Sequence, residues 1–202
     1  MAKGRKDVRA GAPRRIASRL RCGPARSRDE LERAYARVYD RYSRKGLIDE
    51  QSEELYTTIH NACPGTQTFV SVLGEEVVAT VSLVPDGELG LPMDAIFGEE
   101  LGELRDKGRL LTEATMFADR RCKSFWRVIP MLLLLMKRLF DYATLVRGAD
   151  DICIAVHPDH SEFYERRLLF KPWGRVKSYP RVGNRPAVGM RLNLHAVREA
   201  TR

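Results

Sequence analysis

The segment VHPDHSEFYERRLLF, residues 156–170, joins an apolar run to an amphipathic one. The run Asp151–Val156 has the length and composition of a buried strand. His160–Phe170 then places aromatic and apolar residues at helical spacing, which predicts a helix. A buried strand that passes directly into a helix indicates a fold in which helices pack on a central sheet.

The residues that precede this segment predict a hairpin, a third strand and a long helix. Thr68–Leu73 and Val77–Val84 are apolar runs joined by Gly74-Glu75-Glu76, a tight hairpin signal. Leu110–Phe117 predicts the third strand, and Ser124–Val146 predicts the long apolar helix. Residues 86–108, between the hairpin and the third strand, predict a loop and a short amphipathic helix.

The two ends of the chain predict further elements around the same sheet. Ile16–Cys22 alternates like a first strand, and Ser27 or Asp29 can cap a helix that runs to about Ser43. A second short helix fits Glu50–Asn61. Residues 173–180 and 186–194 predict the last two strands. The order β-α-α-β-β-β-α-β-α-β-β predicts one α/β or α+β domain over residues 15–198, with 86–108 as a lid-like insertion.

The charge of the chain is unevenly distributed. The 202 residues carry a formal charge of +8, which invites a nucleic-acid partner. Residues 1–28 contribute +9, residues 29–113 contribute −10, and residues 114–202 contribute +9. Because the basic charge is concentrated in a tail and in one half of the chain, we expect no nucleic-acid partner. Residues 1–14 predict a disordered basic tail.

Several protein classes are excluded by the pattern of apolar and ligating residues. The longest apolar run, Val128–Met136, is nine residues, whereas a bilayer span needs about 20. The basic N-terminus lacks the apolar region of a secretory signal. The four cysteines are scattered, so we expect free thiols and a cytoplasmic protein. His157 and His160 lack further ligands at useful spacing, and we expect no metal.

The segment 156–170 resembles the strand-to-helix crossing of the GNAT acyltransferase superfamily. Over about residues 35–195 the chain is similar to bacterial long-chain N-acyl amino acid synthases, which themselves resemble acyl-homoserine-lactone synthases. Supporting pieces are Tyr42 with Gly46-Leu47-Ile48, Thr66–Val70, Gly87 with Gly90-Leu91-Pro92-Met93-Asp94 and Phe97, Gly108-Arg109, Glu113, His157–Tyr164, and Tyr179 with Val182, Asn184, Pro186 and Ala187. The resemblance implies a GNAT-like fold with a mixed, mostly antiparallel sheet. It also implies acyl transfer from a thioester to the amine of an amino acid.

The resemblance places the acyl donor at the start of the long helix. Coenzyme A in the superfamily is held there by a glycine-bearing turn, but residues 119–127 contain no glycine. Four basic residues occupy the stretch instead, which suits the acidic surface of an acyl carrier protein or forms a solvated basic face. These candidate donor-binding residues are Arg120, Arg121, Lys123 and Arg127. We expect acyl carrier protein or acyl-CoA as co-substrate, with no bound cofactor.

Two residues are candidates for proton transfer. Glu113 lies between apolar residues of a predicted central strand, where a buried acid needs a partner or a chemical role. It could take the proton of the attacking amine, or form a structural pair with Arg109 or another arginine. Tyr164 occupies the position at which the superfamily places a general-acid tyrosine, and it could equally be a core aromatic beside Phe163.

The remaining candidates concern the acyl chain and the acceptor. Apolar residues of 86–108 could form a wall for a long acyl chain or simply be core: Leu91, Met93, Ile96, Phe97 and Leu101, with Leu132, Leu133, Leu135 and Met136 from the long helix. Arg109, Arg181 and Arg185 are candidates for binding the acceptor carboxylate. His160 could contact substrate, and Asn184 could contact substrate or fix the last turn. Any membrane contact would be peripheral, through the lipid product.

Three alternatives to N-acyl amino acid synthesis remain. A lactone synthase would carry Arg three residues after the strand Glu, but Met116 stands there. An acetyl-CoA-dependent N-acetyltransferase would need the missing glycine turn. A non-catalytic module that binds a carrier protein would need neither.

Overall fold

A seven-stranded sheet organises the part of the chain that the structure describes. This computed structural model describes residues 20–49, 52–120 and 125–200, without the side chains of 125–130 and 200. The strands are β1 Leu20–Pro24, β2 Gln67–Leu73, β3 Glu76–Pro85, β4 Leu111–Asp119, β5 Asp151–Val156, β6 Lys171–Tyr179 and β7 Arg185–Asn193. Their spatial order is β1-β2-β3-β4-β5-β7-β6. Neighbours pair antiparallel except β4 and β5, which are parallel.

Helices cover both faces of the sheet. They are α1 Arg28–Arg44, α2 Asp94–Arg105, α3 Phe125–Leu145, α4 Pro158–Leu168 and α5 Leu194–Ala200, with short 3-10 turns at Ile59–Ala62 and Pro180–Val182. On one face, Val38 of α1 packs with Met116 of β4, and Phe97 of α2 packs with Cys153 of β5. On the other, Leu139 of α3 packs with Ile152 of β5. Successive residues of β5, Ile152 and Cys153, therefore enter different cores.

Capping side chains fix the first residues of α1 and α4. The Ser27 hydroxyl accepts the Glu30 N–H at 3.2 Å and caps α1. The Nδ1 of His157 accepts the Asp159 N–H at 3.3 Å, and Pro158 occupies the first turn of α4. The cap places α4 two residues earlier than predicted, directly at the end of β5.

The predicted helix at Glu50–Asn61 is wrong for its described part. Residues 52–58 form turns and irregular backbone, and only the 3-10 turn Ile59–Ala62 follows. The β-branched run Thr57-Thr58-Ile59 disfavours a helix. The Asn61 side chain instead accepts the Thr58 N–H at 2.7 Å, which closes a local turn.

Two further predictions need adjustment at the ends of the chain. The predicted first strand Ile16–Cys22 extends through Pro24, and its residues before Leu20 lie outside the described ones, as does the predicted tail 1–14. The last strand ends at Asn193, one residue before its predicted end, and α5 follows it.

Candidate active site

The strands β4 and β5 separate in the middle of the sheet. They pair only from Leu111 to Glu113 on β4, and Glu113 lies opposite Cys153. β4 then continues to Asp119 and β5 to Val156. Met116 adopts a left-handed φ of 55° at a bulge where β4 shifts register against β3. The bulge lies three residues past the last β4–β5 pair, in the part of β4 that borders the gap between the two strands.

A cleft of about 460 Å³ occupies this gap. Glu113, Tyr42 and Met116 line it from the face of the sheet that carries α1 and α2. Met136 and Ile154 line it from the face that carries α3. Because both faces contribute, the cleft passes between the strands instead of lying on one surface of the sheet.

Glu113 lies in the wall of the cleft at the last paired residue of β4. Its side chain is 2% exposed, and one carboxylate oxygen accepts the Met93 N–H at 2.7 Å. Burial raises the pKa of Glu113 to about 8, against the stabilising effect of that N–H on the carboxylate. The predicted pairing with Arg109 is not observed, since the Arg109 guanidinium binds Asp151. A carboxyl that titrates near neutral pH can accept a proton from an amine.

Tyr164 is a core aromatic that also borders the cleft. Its ring packs edge-to-face on Phe163 at 5.6 Å and on Phe170 at 6.0 Å between ring centres. The same side chain lines the cleft. Burial raises the pKa of Tyr164 to about 12, so the phenol keeps its proton and can donate a hydrogen bond.

Aromatic and cationic residues form the end of the cleft near α1. Tyr42 and Tyr56 contact each other with ring centres 5.2 Å apart. Arg181, in the turn Pro180–Val182, lowers the pKa of both Glu113 and Tyr56 by its charge, although burial raises each of them more. Arg185 begins β7 and also lines the cleft. The sequence named both arginines, but the contribution of Tyr56 was not predicted, because it lies in irregular backbone without a periodic pattern.

Several predicted site residues lie elsewhere. Arg109 lies outside the cleft and is bound to Asp151 at the opposite end of the paired segment. Asn184 is exposed and has a left-handed φ of 56°, so it shapes the turn before β7. His160 does line the cleft, beside His157. Among the described residues, no group of three or more potential ligands could hold a metal ion.

The predicted acyl wall at 86–108 is not part of the cleft. Its members pack into a closed core with Val84, Leu104, Leu111 and Cys153, and four of them are at most 1% exposed. They cover the sheet under α2, as apolar residues at helical spacing ordinarily do. The correction applies to Leu91, Met93, Ile96, Phe97 and Leu101. Of the four long-helix residues named with them, Met136 lines the cleft.

The predicted donor-binding stretch is described only in part. Arg120 follows β4, and its guanidinium binds Glu76 at 2.7 Å. Arg121 and Lys123 lie outside the described residues, as does the side chain of Arg127. Arg37, Arg41 and Arg44 of α1 surround the same small pocket as Arg120. No helix within the described ranges has the length and apolar character needed to cross a membrane.

Comparison with known proteins identifies the family. The family model of the N-acyl amino acid synthase FeeM matches residues 33–193. The structure of FeeM, an N-acyl amino acid synthase from uncultured soil microbes, is 29% identical with a TM-score of 0.76, over 90% of this chain and 94% of that one.

Two lactone synthases share the fold at lower identity. The acyl-homoserine-lactone synthase LasI is 16% identical with a TM-score of 0.61, over 87% of this chain and 89% of that one. The CoA-dependent synthase BjaI is 14% identical with a TM-score of 0.60, over 86% and 82%. A comparison with curated protein sequences gives no match. The predicted GNAT-like fold is confirmed, and the chain is an acyltransferase that belongs to the FeeM family of N-acyl amino acid synthases.

Proposed function

We propose that this enzyme transfers a long-chain fatty acyl group from acyl carrier protein to the amine of an amino acid. One observation carries the proposal: β4 and β5 part directly after Glu113, so a buried carboxyl with a pKa near 8 lies where the gap begins. An acyl thioester threaded between the strands would present its carbonyl carbon beside this carboxyl. Beyond Glu113, β4 and β5 no longer pair with each other, and the backbone edge of β4 that faces the gap would bind the thioester arm.

The reaction is a direct displacement at the thioester. The amine nitrogen forms a bond to the carbonyl carbon, the carbon–sulfur bond breaks, and the amine proton moves to Glu113. A phenol of pKa about 12 is a weaker acid than a thiol. Tyr164 therefore stabilises the leaving thiolate by a hydrogen bond, and the sulfur finally takes its proton from Glu113 or water. The acyl thioester is a co-substrate, and this chemistry requires no resident cofactor.

The acceptor would bind at the α1 end of the cleft. An amino acid presents a carboxylate, which the planar guanidinium of an arginine binds in a bidentate way. Arg181 suits this role best, because its charge already acts on Glu113. It would hold the carboxylate while the amine faces the base. Arg185 lines the same cleft and is the second candidate.

The acyl chain would extend through the gap to the face that carries α3. The walls there are apolar and come from four elements: Val81 of β3, Ala114 of β4, Met136 of α3 and Ile154 of β5. Burial of a chain is favourable by about 0.8 kcal/mol per CH₂. This assignment replaces the predicted wall at 86–108.

The charge and composition of residues 119–127 favour a carrier protein as the donor. The stretch holds four basic residues and no glycine, so it lacks the backbone cradle that pyrophosphate binding uses. Basic side chains suit a single phosphate on an acidic protein. With a carrier protein as donor, we propose a cytoplasmic reaction.

Mass spectrometry of bacterial lipids tests the proposal. A strain that overexpresses the enzyme is expected to accumulate a species with the mass of a fatty acid plus an amino acid minus water. A strain that expresses Glu113→Gln is the matched control and should lack it. A homoserine lactone would instead indicate a lactone synthase, and unchanged lipids would contradict long-chain transfer. Initial rates with purified acyl carrier protein and CoA thioesters then identify the donor.

A further inference from the structure

One peptide group connects the 86–108 segment to the candidate base. The Met93 N–H donates to the Glu113 carboxylate at 2.7 Å. The carbonyl of the same peptide unit, which belongs to Pro92, accepts the Tyr179 hydroxyl at 3.0 Å. Both hydrogen bonds are buried. A donor on the carbonyl polarises the peptide and strengthens its N–H as a donor.

An ion-pair clasp fixes the chain on both sides of this peptide. Arg105, the last residue of α2, donates two hydrogen bonds to Asp86 and two to Asp94, at 2.6–2.8 Å. Asp86 follows β3, and Asp94 begins α2. One guanidinium therefore closes the loop that carries the Pro92–Met93 peptide.

The clasp also explains the glycine of the motif Gly90-Leu91-Pro92-Met93-Asp94. Asp94 accepts the Leu91 N–H at 2.6 Å. Gly90 has a φ of 64°, and a Cβ there would lie 2.6 Å from the Asp94 carboxylate. Only glycine fits this turn while Asp94 remains bound to Arg105. The motif is thus arranged so that the clasp fixes its ends while Pro92 borders the cleft and Met93 binds Glu113.

We propose that Tyr179 and Arg105 are positioning residues that hold the Pro92–Met93 peptide against the carboxylate of Glu113. Tyr179 holds the peptide by its hydrogen bond to the Pro92 carbonyl. Arg105 holds it by fixing Asp86 and Asp94, which lie on either side of the peptide in the chain. The proposal rests on the assignment of Glu113 as the base. It adds that the strength of Glu113 as a base depends on two residues that take no part in the reaction, Tyr179 and Arg105.

Several charged and titratable groups face Glu113, and of these the test alters only Tyr179 directly and Asp94 through its partner Arg105. They come from α1, α2, β5, β6 and the turn before β7, and they are Tyr42, Asp94, Cys153, Tyr179 and Arg181. Asp94 raises the pKa of Glu113 and Arg181 lowers it. Arg105 offsets the negative charge of Asp94. Loss of Arg105 would therefore raise the pKa of Glu113, as would displacement of the Met93 N–H.

The test compares the pH profile of kcat/KM among variants of the full chain. Tyr179→Phe should move the acidic limb to higher pH by about half a unit, and Arg105→Met by about one unit. Rates above the limb should remain within about twofold of the wild-type rate. Arg105→Lys keeps the charge and should restore part of the shift. Because all variants use the same acceptor, the titration of its amine cancels.

Lys177→Met is the matched control. Lys177 binds Glu100 at 2.7 Å and so also ties α2 to the sheet, but it does not contact the clasp. This variant should lower the melting temperature without moving the limb. If Arg105→Met fails to fold, Tyr179→Phe and Arg105→Lys carry the comparison.

Infrared titration of the protonated Glu113 carbonyl separates the two proposals. The band is identified by its absence in Glu113→Gln. If neither the band nor the kinetic limb shifts in Tyr179→Phe and Arg105→Met, the positioning role is refuted. A shifted band with an unshifted limb would support positioning but reject Glu113 as the base. Shifts in both support both.

Discussion

Glu113 is held where its protonated and ionised forms are close in free energy near neutral pH. The carboxyl does not pair with Arg109, which is engaged by Asp151, and the charge of Arg181 acts on it only weakly compared with burial. It keeps one N–H donor, from Met93. Burial and the charge of Asp94 outweigh this donor, Arg181 and Thr115, which brings the pKa to about 8 and leaves a base strong enough to take a proton from an amine.

Substitution of Glu113 by glutamine should remove catalysis and preserve the fold. We expect kcat/KM to fall on the order of 10²- to 10⁴-fold, because the amide cannot accept the proton. Wild-type kcat/KM should rise as pH rises through about 8, where Glu113 ionises. Glu103→Gln, on the exposed side of α2, is the control and should leave the rate unchanged. Near wild-type activity in Glu113→Gln would remove the base assignment.

The same carboxyl should make stability depend on pH. The unfolded chain releases this proton near pH 4.5, and the folded chain holds it until about pH 8. Between these values the native state binds the additional proton, so its stability falls as pH rises. The melting temperature of Glu113→Gln relative to wild type should therefore increase from pH 5 to pH 8 and level off above. A constant difference across this range would contradict the raised pKa.

Arg181 should affect the acceptor more than the chemistry. Loss of a charged hydrogen-bond partner costs about 1.5–3 kcal/mol, so Arg181→Gln should raise KM for the amino acid by about tenfold to a hundredfold. The KM for the acyl donor should not change. Arg185→Gln is the comparison, because both arginines line the cleft. If Arg185→Gln alone raises the acceptor KM, the carboxylate binds there instead.

At the scale of elements, the sequence predicts what repeats along a strand or helix and misses what depends on distant contacts. The hairpin of β2 and β3, the long helix α3 and the crossing from β5 to α4 all follow from local periodicity. The apolar stripe of 91–104 was equally visible, but periodicity cannot tell a core from a ligand wall. These residues are buried between α2 and the sheet, so they form part of the core.

The site itself depends on a feature that no local pattern encodes. The part of β4 that borders the gap carries a bulge at Met116, a residue type that rarely adopts positive φ. Glu113 was predictable because an acid among apolar strand residues is anomalous. The cluster of Tyr42, Tyr56 and Arg181 was not, because it joins α1, an irregular segment and the last turn.

The gap between β4 and β5 should determine which acyl chains are accepted. Met136 lies on the α3 side of the gap and is 9% exposed. Met136→Trp should narrow the passage and lower kcat/KM for long acyl thioesters on the order of tenfold relative to short ones, since each lost CH₂ contact costs about 0.8 kcal/mol. Leu133→Trp, exposed on the same helix, is the control. An unchanged preference would place the acyl chain elsewhere.

For the molecule as a whole, the formal charge of +8 is the sum of segments with opposite net charges. Residues 114–202 carry +9 and include the stretch 119–127, whereas residues 29–113 carry −10. Arg120 and three arginines of α1 share one pocket at the end of β4 with Asp40 and Asp119, and ion pairs with Glu76, Asp40 and Asp119 engage all four arginines. The excess of basic charge beside this pocket therefore comes from the stretch 119–127, which holds four basic residues and one acid. Such an excess attracts an acidic partner at long range.

This arrangement predicts that the affinity for acyl carrier protein depends on salt. Exposed charges are screened within about 10 Å at 0.1 M salt, so Kd should rise on the order of tenfold between about 0.05 and about 0.5 M, as measured by calorimetry or fluorescence anisotropy. A variant that replaces Arg120, Arg121 and Lys123 by glutamine should lose most of this dependence. The control replaces the same number of basic residues at exposed positions elsewhere, Lys107, Lys171 and Arg175. Both variants lose three positive charges. If the carrier docks on residues 120–123, the dependence of Kd on salt should differ between the two variants. Equal dependence would show that only the net charge matters.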